Sequence, residues 1–192
     1  MPDVETPETD MHLILPDQFD RQPWKIGGGV THEIAKAMDG ADFLWRLSLA
    51  EVATDGPFSA FPGLTRCLTV IEGGGLYLDT LDGTLHANPL SPIVFSGDTP
   101  ISSRLQTGPI RDLNLIFDAR HVAGSVTPLS GPLTLLEIAA GSLLLGLFCV
   151  AGPLRLNEND IPDFAFAHAD NLNISLGEGA EALLIRISPI AP

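Results

Sequence analysis

The chain has 192 residues, enough for one large domain or two small, closely packed halves, and 45% of them are hydrophobic, enough for a substantial core. Twenty-four acidic residues against 10 basic ones leave a formal net charge of −14. Nucleic acid and anionic membrane surfaces both select for clustered Lys and Arg, so this balance argues against either as a partner.

Residues 1–10 (MPDVETPETD) are acidic and lack the basic start and apolar stretch of a secretory signal; they read as a mobile tail, and the cytoplasm is the expected location. Residues 31–39 (THEIAKAMD) admit a helix capped by Thr31 or a strand, and their β-branched start favours a strand as far as Ala35. Residues 43–52 (FLWRLSLAEV) alternate: Phe43, Trp45, Leu47 and Leu49 point one way, Arg46, Ser48, Ala50 and Val52 the other. Strands follow at 66–71 and 76–81, and Asp82-Gly83 marks a two-residue hairpin into a strand at 84–86. Further strand patterns lie at 93–95, 113–117, 134–138, 143–150, 164–167, 173–176 and 182–187. The uncharged run at 138–154 is short for a spanning helix and is broken by Gly and Pro, so buried strands fit it better. Cys67 and Cys149 lie in apolar stretches and read as small core side chains.

Many short strands at close spacing predict an all-β sandwich or barrel. A faint echo between GDTP (97–100) and NDIP (159–162) hints at two halves. The expected organisation is a tail (1–10), a first half carrying the motifs (11–120) and a second half packed on it (121–192).

Three features within residues 23–66 carry the candidate chemistry. In PWKIGGGVTHEIA, Gly27, Gly28 and Gly29 allow either an ordinary turn or a close backbone approach to a ligand; no Lys-Ser/Thr follows them, so a phosphate loop is not indicated. GPFSAFPGLTR (56–66) is a rigid loop whose Phe58 and Phe61 either plug a barrel end or wall a pocket. Arg46 and Arg66 are the cations of the segment; Arg46, in mid-strand, needs an acceptor if buried, whether a carboxylate of the protein such as Glu33 or Asp112 or one from a ligand. The five histidines show no metal-ligand spacing, and no nucleophile motif is present, so neither a metal, a cofactor nor a catalytic residue is assigned.

PWKIGGGVTHEIA, FLWRLSLAEV, GPFSAFPGLTR, FSGDTP and GPIRDLN occur in this order from residue 23 to 114, and together they resemble the HutD/Ves family. The resemblance implies a cupin-like fold of two β-barrel halves (a bicupin). It also implies a non-catalytic cytoplasmic accessory protein that limits flux through histidine utilisation and binds a small acidic metabolite such as N-formylglutamate. On that reading Arg46 and Arg66 are anion contacts, and Phe58 and Phe61 are pocket walls. Trp24, Lys25, Gly28, Thr31, Ser48 and Ser59 are the other candidate ligand-binding residues. Two positions depart from the family pattern: Ile26 stands where Asn is usual, and His32 where Arg is usual. Two alternatives stay open. One is a cupin-fold isomerase or hydrolase using Glu33 or Asp112 near His32 as a base; the other is an interaction module whose partner could be another protein or a second copy in a homo-oligomer.

Overall fold

The computed structural model of the chain describes residues 11–24, 29–138 and 141–190. The described residues contain one 3-10 turn (Pro16–Gln18), no α-helix and nineteen strands. In chain order the strands are β1 (His12–Ile14), β2 (Asp20–Pro23), β3 (Gly29–Asp39), β4 (Asp42–Val52), β5 (Gly56–Pro57), β6 (Thr65–Glu72), β7 (Leu76–Thr80), β8 (Gly83–Ala87), β9 (Ile93–Ser96), β10 (Ser102–Leu105), β11 (Ile110–Phe117), β12 (Val122–Ser130), β13 (Leu133–Ile138), β14 (Leu144–Ala151), β15 (Leu154–Leu156), β16 (Asn159–Ile161), β17 (Phe166–His168), β18 (Leu172–Leu176) and β19 (Glu181–Pro189).

Four sheets divide the work. A six-stranded sheet ordered β2-β3-β4-β11-β6-β9 faces a four-stranded sheet ordered β5-β10-β7-β8, and the two enclose Leu68, Val70, Leu76, Leu78 and Phe95. A five-stranded sheet ordered β1-β17-β14-β19-β12 faces a second four-stranded sheet, β13-β18-β15-β16, around Leu147, Cys149, Leu156, Ile174 and Leu184. The outer faces of the two large sheets then pack on each other. Leu47, Leu49, Leu113 and Leu115 from the first meet Phe148, Phe166, Leu183 and Ile185 from the second. Each large sheet is therefore buried on both sides, which is why its central strands read as near-continuous apolar runs.

Period-2 alternation explains which residue goes where. On β4, Trp45, Leu47 and Leu49 enter the layer between the large sheets, while Ala50 and Val52 turn away from it into the first barrel. At the start of that strand Leu44, rather than the expected Phe43, joins the middle layer. On β11, Leu113, Leu115 and Phe117 face the middle layer, and Asp112, Asn114 and Ile116 face inward. Both cysteines are buried and free. Burial pushes the Cys67 thiol up to about 11 and that of Cys149 up to about 12, so both stay protonated near neutrality.

Several expectations shift. THEIAKAMD is strand throughout: it continues past Ala35 to Asp39, with a bulge between Glu33 and Ala35 that lets Ile34 reach the middle layer. Thr80 pairs with Gly83, so the hairpin loop is Leu81-Asp82, and Gly83 supplies its positive φ from the first strand position (φ 140). GDTP begins in a turn, whereas the first three residues of NDIP form β16, so the echo between them has no structural counterpart. The short strand β1, counted with the first half in chain order, pairs with β17 in the five-stranded sheet. Strand β12 went unanticipated because Gly124 and Pro128 interrupt it. It lies at a sheet edge, where a missing N–H is tolerated, and Gly124 lets the Phe117 ring approach its backbone.

The middle layer should carry much of the stability. Phe148 is fully buried there, so Phe148→Ala is expected to cost about 3–5 kcal/mol in urea unfolding, whereas Leu81→Ala, at a side chain 94% exposed, should stay within about 0.5 kcal/mol of the parent.

Candidate functional site

Where the interior of the first barrel ends, the apolar filling gives way to a small cavity of about 40 Å³. Trp24, Thr31, Arg46, Ser48, Ala50, Phe58, Ser59, Phe61, Arg66, Asn114 and Ile116 line it. Eight of the ten residues singled out from the sequence therefore meet around one space; Lys25 and Gly28 lie outside the described residues, as does Ile26. Register explains the gathering. Ile116 pairs with Arg46 on one side and Arg66 on the other, while Asn114 pairs with Ser48, so three adjacent strands present these side chains to one face.

Arg66 is the centre of the site. It is only 4% exposed, and burial lowers its guanidinium to about 10, which still leaves it cationic at neutral pH. Its Nη1 donates to the Ser59 carbonyl (3.0 Å) and its Nη2 to Asn114 Oδ1 (2.8 Å). The guanidinium carbon lies 4.5 Å from the centroid of Phe58, 5.1 Å from Phe61 and 5.2 Å from Phe95, a cation-π arrangement that compensates part of the lost hydration. Its Nε remains buried with no partner. Arg46 repeats the pattern more weakly. Its guanidinium lies 5.2 Å from Phe61, burial lowers its pKa against the attraction of Glu33, and its Nε is also buried and unpartnered.

The aromatic loop is fixed from outside. Phe58 N–H donates to the Ile101 carbonyl, Phe61 N–H to the Gly97 carbonyl, and Gly97 N–H to the Leu64 carbonyl, at 2.9, 2.9 and 2.8 Å. Asp98 Oδ1 accepts from Gly63 N–H at 3.0 Å. A Cβ on Gly97 would run into the Phe61 carbonyl oxygen, so FSGDTP is the cradle that sets Phe58 and Phe61 against Arg66. Trp24 is held on the opposite side. Its Nε1 donates to Thr31 Oγ1 (2.8 Å), and its ring lies so close over Gly29 that a Cβ there would come within 2.9 Å of two ring carbons and 2.5 Å of the Glu51 carbonyl. Close approach is thus one job of the last glycine of the triplet, and the approaching group is Trp24.

Behind Arg66 sits Asp112, fully buried, whose Oδ1 accepts from Asn114 Nδ2 and whose Oδ2 has no partner. Desolvation pushes its carboxyl up to about 7, against the pull of Arg66 and the Asn114 hydrogen bond. The sequence offered Asp112 as a partner for Arg46; the structure links it through Asn114 to Arg66 instead. Glu33 is the carboxylate that acts on Arg46, while itself bridged to Lys36 Nζ at 2.7 Å. The signal for Asn114 was present in the alternation of IRDLNLIF, which puts Asp112 and Asn114 on one face among apolar neighbours. His32 does not join the site; its Nε2 lies 3.4 Å from Glu51 Oε1, in a charged row continued by Arg111 and Glu72. Among the described residues no three His, Cys, Asp or Glu side chains are placed to hold a metal, and no helix is long and apolar enough to cross a membrane.

Two variants test this construction. Gly29→Ala should displace the Trp24 ring, read as a red shift of the fluorescence that Trp24 contributes, measured in a Trp45→Phe background. For Asp112, the folded pKa is raised, so the folded state holds the proton more tightly and the associated stability is complete below about 4 and lost as pH rises through about 7. Relative to Asp112→Asn, wild type should therefore lose stability across that window by an amount on the order of a few kcal/mol. A pH-independent difference between the two unfolding free energies would refute the assignment.

A sequence profile of the HutD family matches residues 16–187. An uncharacterised 21.2 kDa Pseudomonas putida protein from the hutC 3′ region is 37% identical over 141 residues, covering 71% of this chain and 73% of its own. Protein Ves of Escherichia fergusonii is 38% identical over 96 residues, 48% of this chain and half (50%) of that protein. Among solved structures, HutD from Pseudomonas fluorescens SBW25, described as a formate condition, superposes with a TM-score of 0.82 at 30% identity over 94% of this chain and 100% of that one. The Escherichia coli pirin YhhW, solved with nickel(II), covers 94% of this chain and 100% of its own at a TM-score of 0.70, but at 10% identity it shares the fold alone. These likenesses bear out the all-β, cupin-like expectation. With nearly its whole length matched in sequence and in fold, the chain belongs to the HutD family, which is associated with histidine utilisation.

Proposed function

We propose that this protein is a non-catalytic, cytoplasmic accessory protein of histidine utilisation that binds a small acidic metabolite, N-formylglutamate foremost, by its carboxylate. The observation that carries this reading is the pair of guanidinium groups, Arg46 and Arg66, sharing one cavity while their buried Nε atoms lack acceptors. A buried donor without an acceptor costs about 1–3 kcal/mol, and a carboxylate oxygen is the acceptor that a guanidinium fork matches best. Size supports the same class. A cavity of about 40 Å³ has room for a few water-sized groups, which is the scale of one carboxylate head. The rest of a larger acid would extend past Ser59, the exposed member of the lining.

The binding role is favoured over catalysis by what the cavity contains. Apart from the two arginines, its described lining has no titratable side chain: no carboxylate, imidazole or thiol stands ready to move a proton. Asp112 and Glu33 are not among the lining residues, and Ser48 has no histidine beside it in that set.

N-Formylglutamate at 100 times its dissociation constant should stabilise the fold by about 2.7 kcal/mol. For a chain of this size that is a rise in Tm of roughly 5–10 °C, read by thermal shift against glutamate, formiminoglutamate, urocanate and neutral sugars. Arg46→Ala should remove most of the rise while leaving the unliganded Tm within a few degrees. Arg66→Ala is the less informative variant, because that side chain braces three aromatic rings. Equal shifts in wild type and Arg46→Ala, or no shift with any acid, would rule the reading out.

A further inference from the structure

A carboxylate-binding site has little obvious use for a second carboxylate sealed behind its main cation, yet Asp112 occupies that position. Nothing neutralises it directly. Its cross-strand neighbours are Ala50 and Val70, and the facing sheet presents Leu76, Leu78, Ala87 and the buried Ser103 to the same barrel interior. Charged side chains on the neighbouring strands include Arg66 and Glu72 on β6, Arg46 and Glu51 on β4, and Glu33 and Lys36 on β3, and of these Arg66 is the one whose charge pulls on Asp112.

The link to Arg66 runs through one amide in one orientation. A guanidinium only donates and an ionised carboxylate only accepts, so Asn114 must turn its carbonyl oxygen to Arg66 and its NH₂ to Asp112. Asp112 Oδ1 is satisfied by this arrangement, and Oδ2 is the buried oxygen left over. A proton on Oδ2 would abolish the buried charge without disturbing either hydrogen bond of Asn114.

We propose that Asp112 is a positioning and proton-coupling residue of the carboxylate site: it orients Arg66 through Asn114, and occupation of the cavity by an anion is accompanied by uptake of a proton on Asp112. The inference rests on the carboxylate-binding reading above. Its physical basis is competition for a single cation. Without ligand, Arg66 offsets part of the cost of burying an ionised Asp112. An anion placed against Arg66 cancels that field, Asp112 takes a proton, and the guanidinium is left to serve the ligand. By linkage, affinity then falls as pH rises through the range in which unliganded Asp112 ionises, centred near 7, with a limiting slope of one proton. The ligand carboxylates titrate far below this range and add nothing to the slope.

The test is calorimetric titration with N-formyl-L-glutamate, and with sodium formate as a smaller probe, at pH 6.5, 7.5 and 8.5 in two buffers of different ionisation enthalpy. Wild type should show Kd rising roughly tenfold across the series, with net proton uptake at pH 7.5. Asp112→Asn, which keeps an acceptor for Asn114, should give a nearly flat Kd and no such uptake. Binding that is retained but independent of pH overturns the coupling and leaves the binding reading standing; no binding of either acid at any pH overturns both. An equal slope in Asp112→Asn also overturns the coupling and assigns the proton elsewhere. Should that variant not fold, carboxyl-carbon NMR of wild type decides: the Asp112 titration midpoint rises on saturation with ligand, and an unmoved midpoint overturns the proposal.

Discussion

The burial of one guanidinium organises the first half of this molecule. Removing Arg66 from water is costly unless its donors and its charge are accommodated, and the surrounding features read as answers to that cost. Ser59 and Asn114 take up two donors, three aromatic faces surround the charge, and Asp112 supplies an opposite charge one amide away. The Phe58–Phe61 loop and the FSGDTP turn that anchors it exist, in this sense, for the same group. What is left unanswered is an acceptor at Nε, and the cavity is where an acceptor can enter.

The two sheet pairs are filled differently. Both close a large sheet against a four-stranded one, and both bury an apolar filling. In the second half that filling is an apolar cluster running from Leu145 to Leu184, with the Cys149 thiol among its members. In the first half it stops short, and arginine, serine and asparagine replace leucine on the last inward positions of β4, β6 and β11. Fold and site are therefore separable. The middle layer supplies rigidity to the back of the six-stranded sheet, and that rigidity holds Arg46, Ser48, Asn114 and Arg66 in register on its front.

Much of this was legible in the sequence where period 2 was clean. FLWRLSLAEV announced its two faces, and a lone Arg in an apolar strand pointed to a guanidinium in need of an acceptor, from the protein or from a ligand. Strands with ordinary β-formers at 66–71, 93–95 and 113–117 were legible for the same reason. What escaped were pieces whose meaning depends on partners distant in the chain. Strand β12 hides behind Gly124 and Pro128, tolerable only because it ends up at an edge, and β10 shows its role only when paired with β7. Asp112 was visible in the sequence as one of two candidate carboxylates for Arg46, beside Glu33. Only the cross-strand register shows that Asn114 stands between it and Arg66. His32 looked like a departure within the binding motif, yet alternation along β3 carries it away from Thr31 to Glu51.

The pairing of β1 with β17 has a consequence for how the chain can be divided. A cut at residue 120 would give a C-terminal fragment whose five-stranded sheet has lost its outermost strand, exposing the unpaired backbone of β17 at a new edge. The same cut would bare Phe148, Phe166, Leu183 and Ile185, now covered by the six-stranded sheet. Open edges and exposed apolar faces are the ingredients of aggregation. The halves are modular in architecture but not in the chain: the first residues of the described structure fasten the last barrel, and the polypeptide is laced shut across its own midpoint.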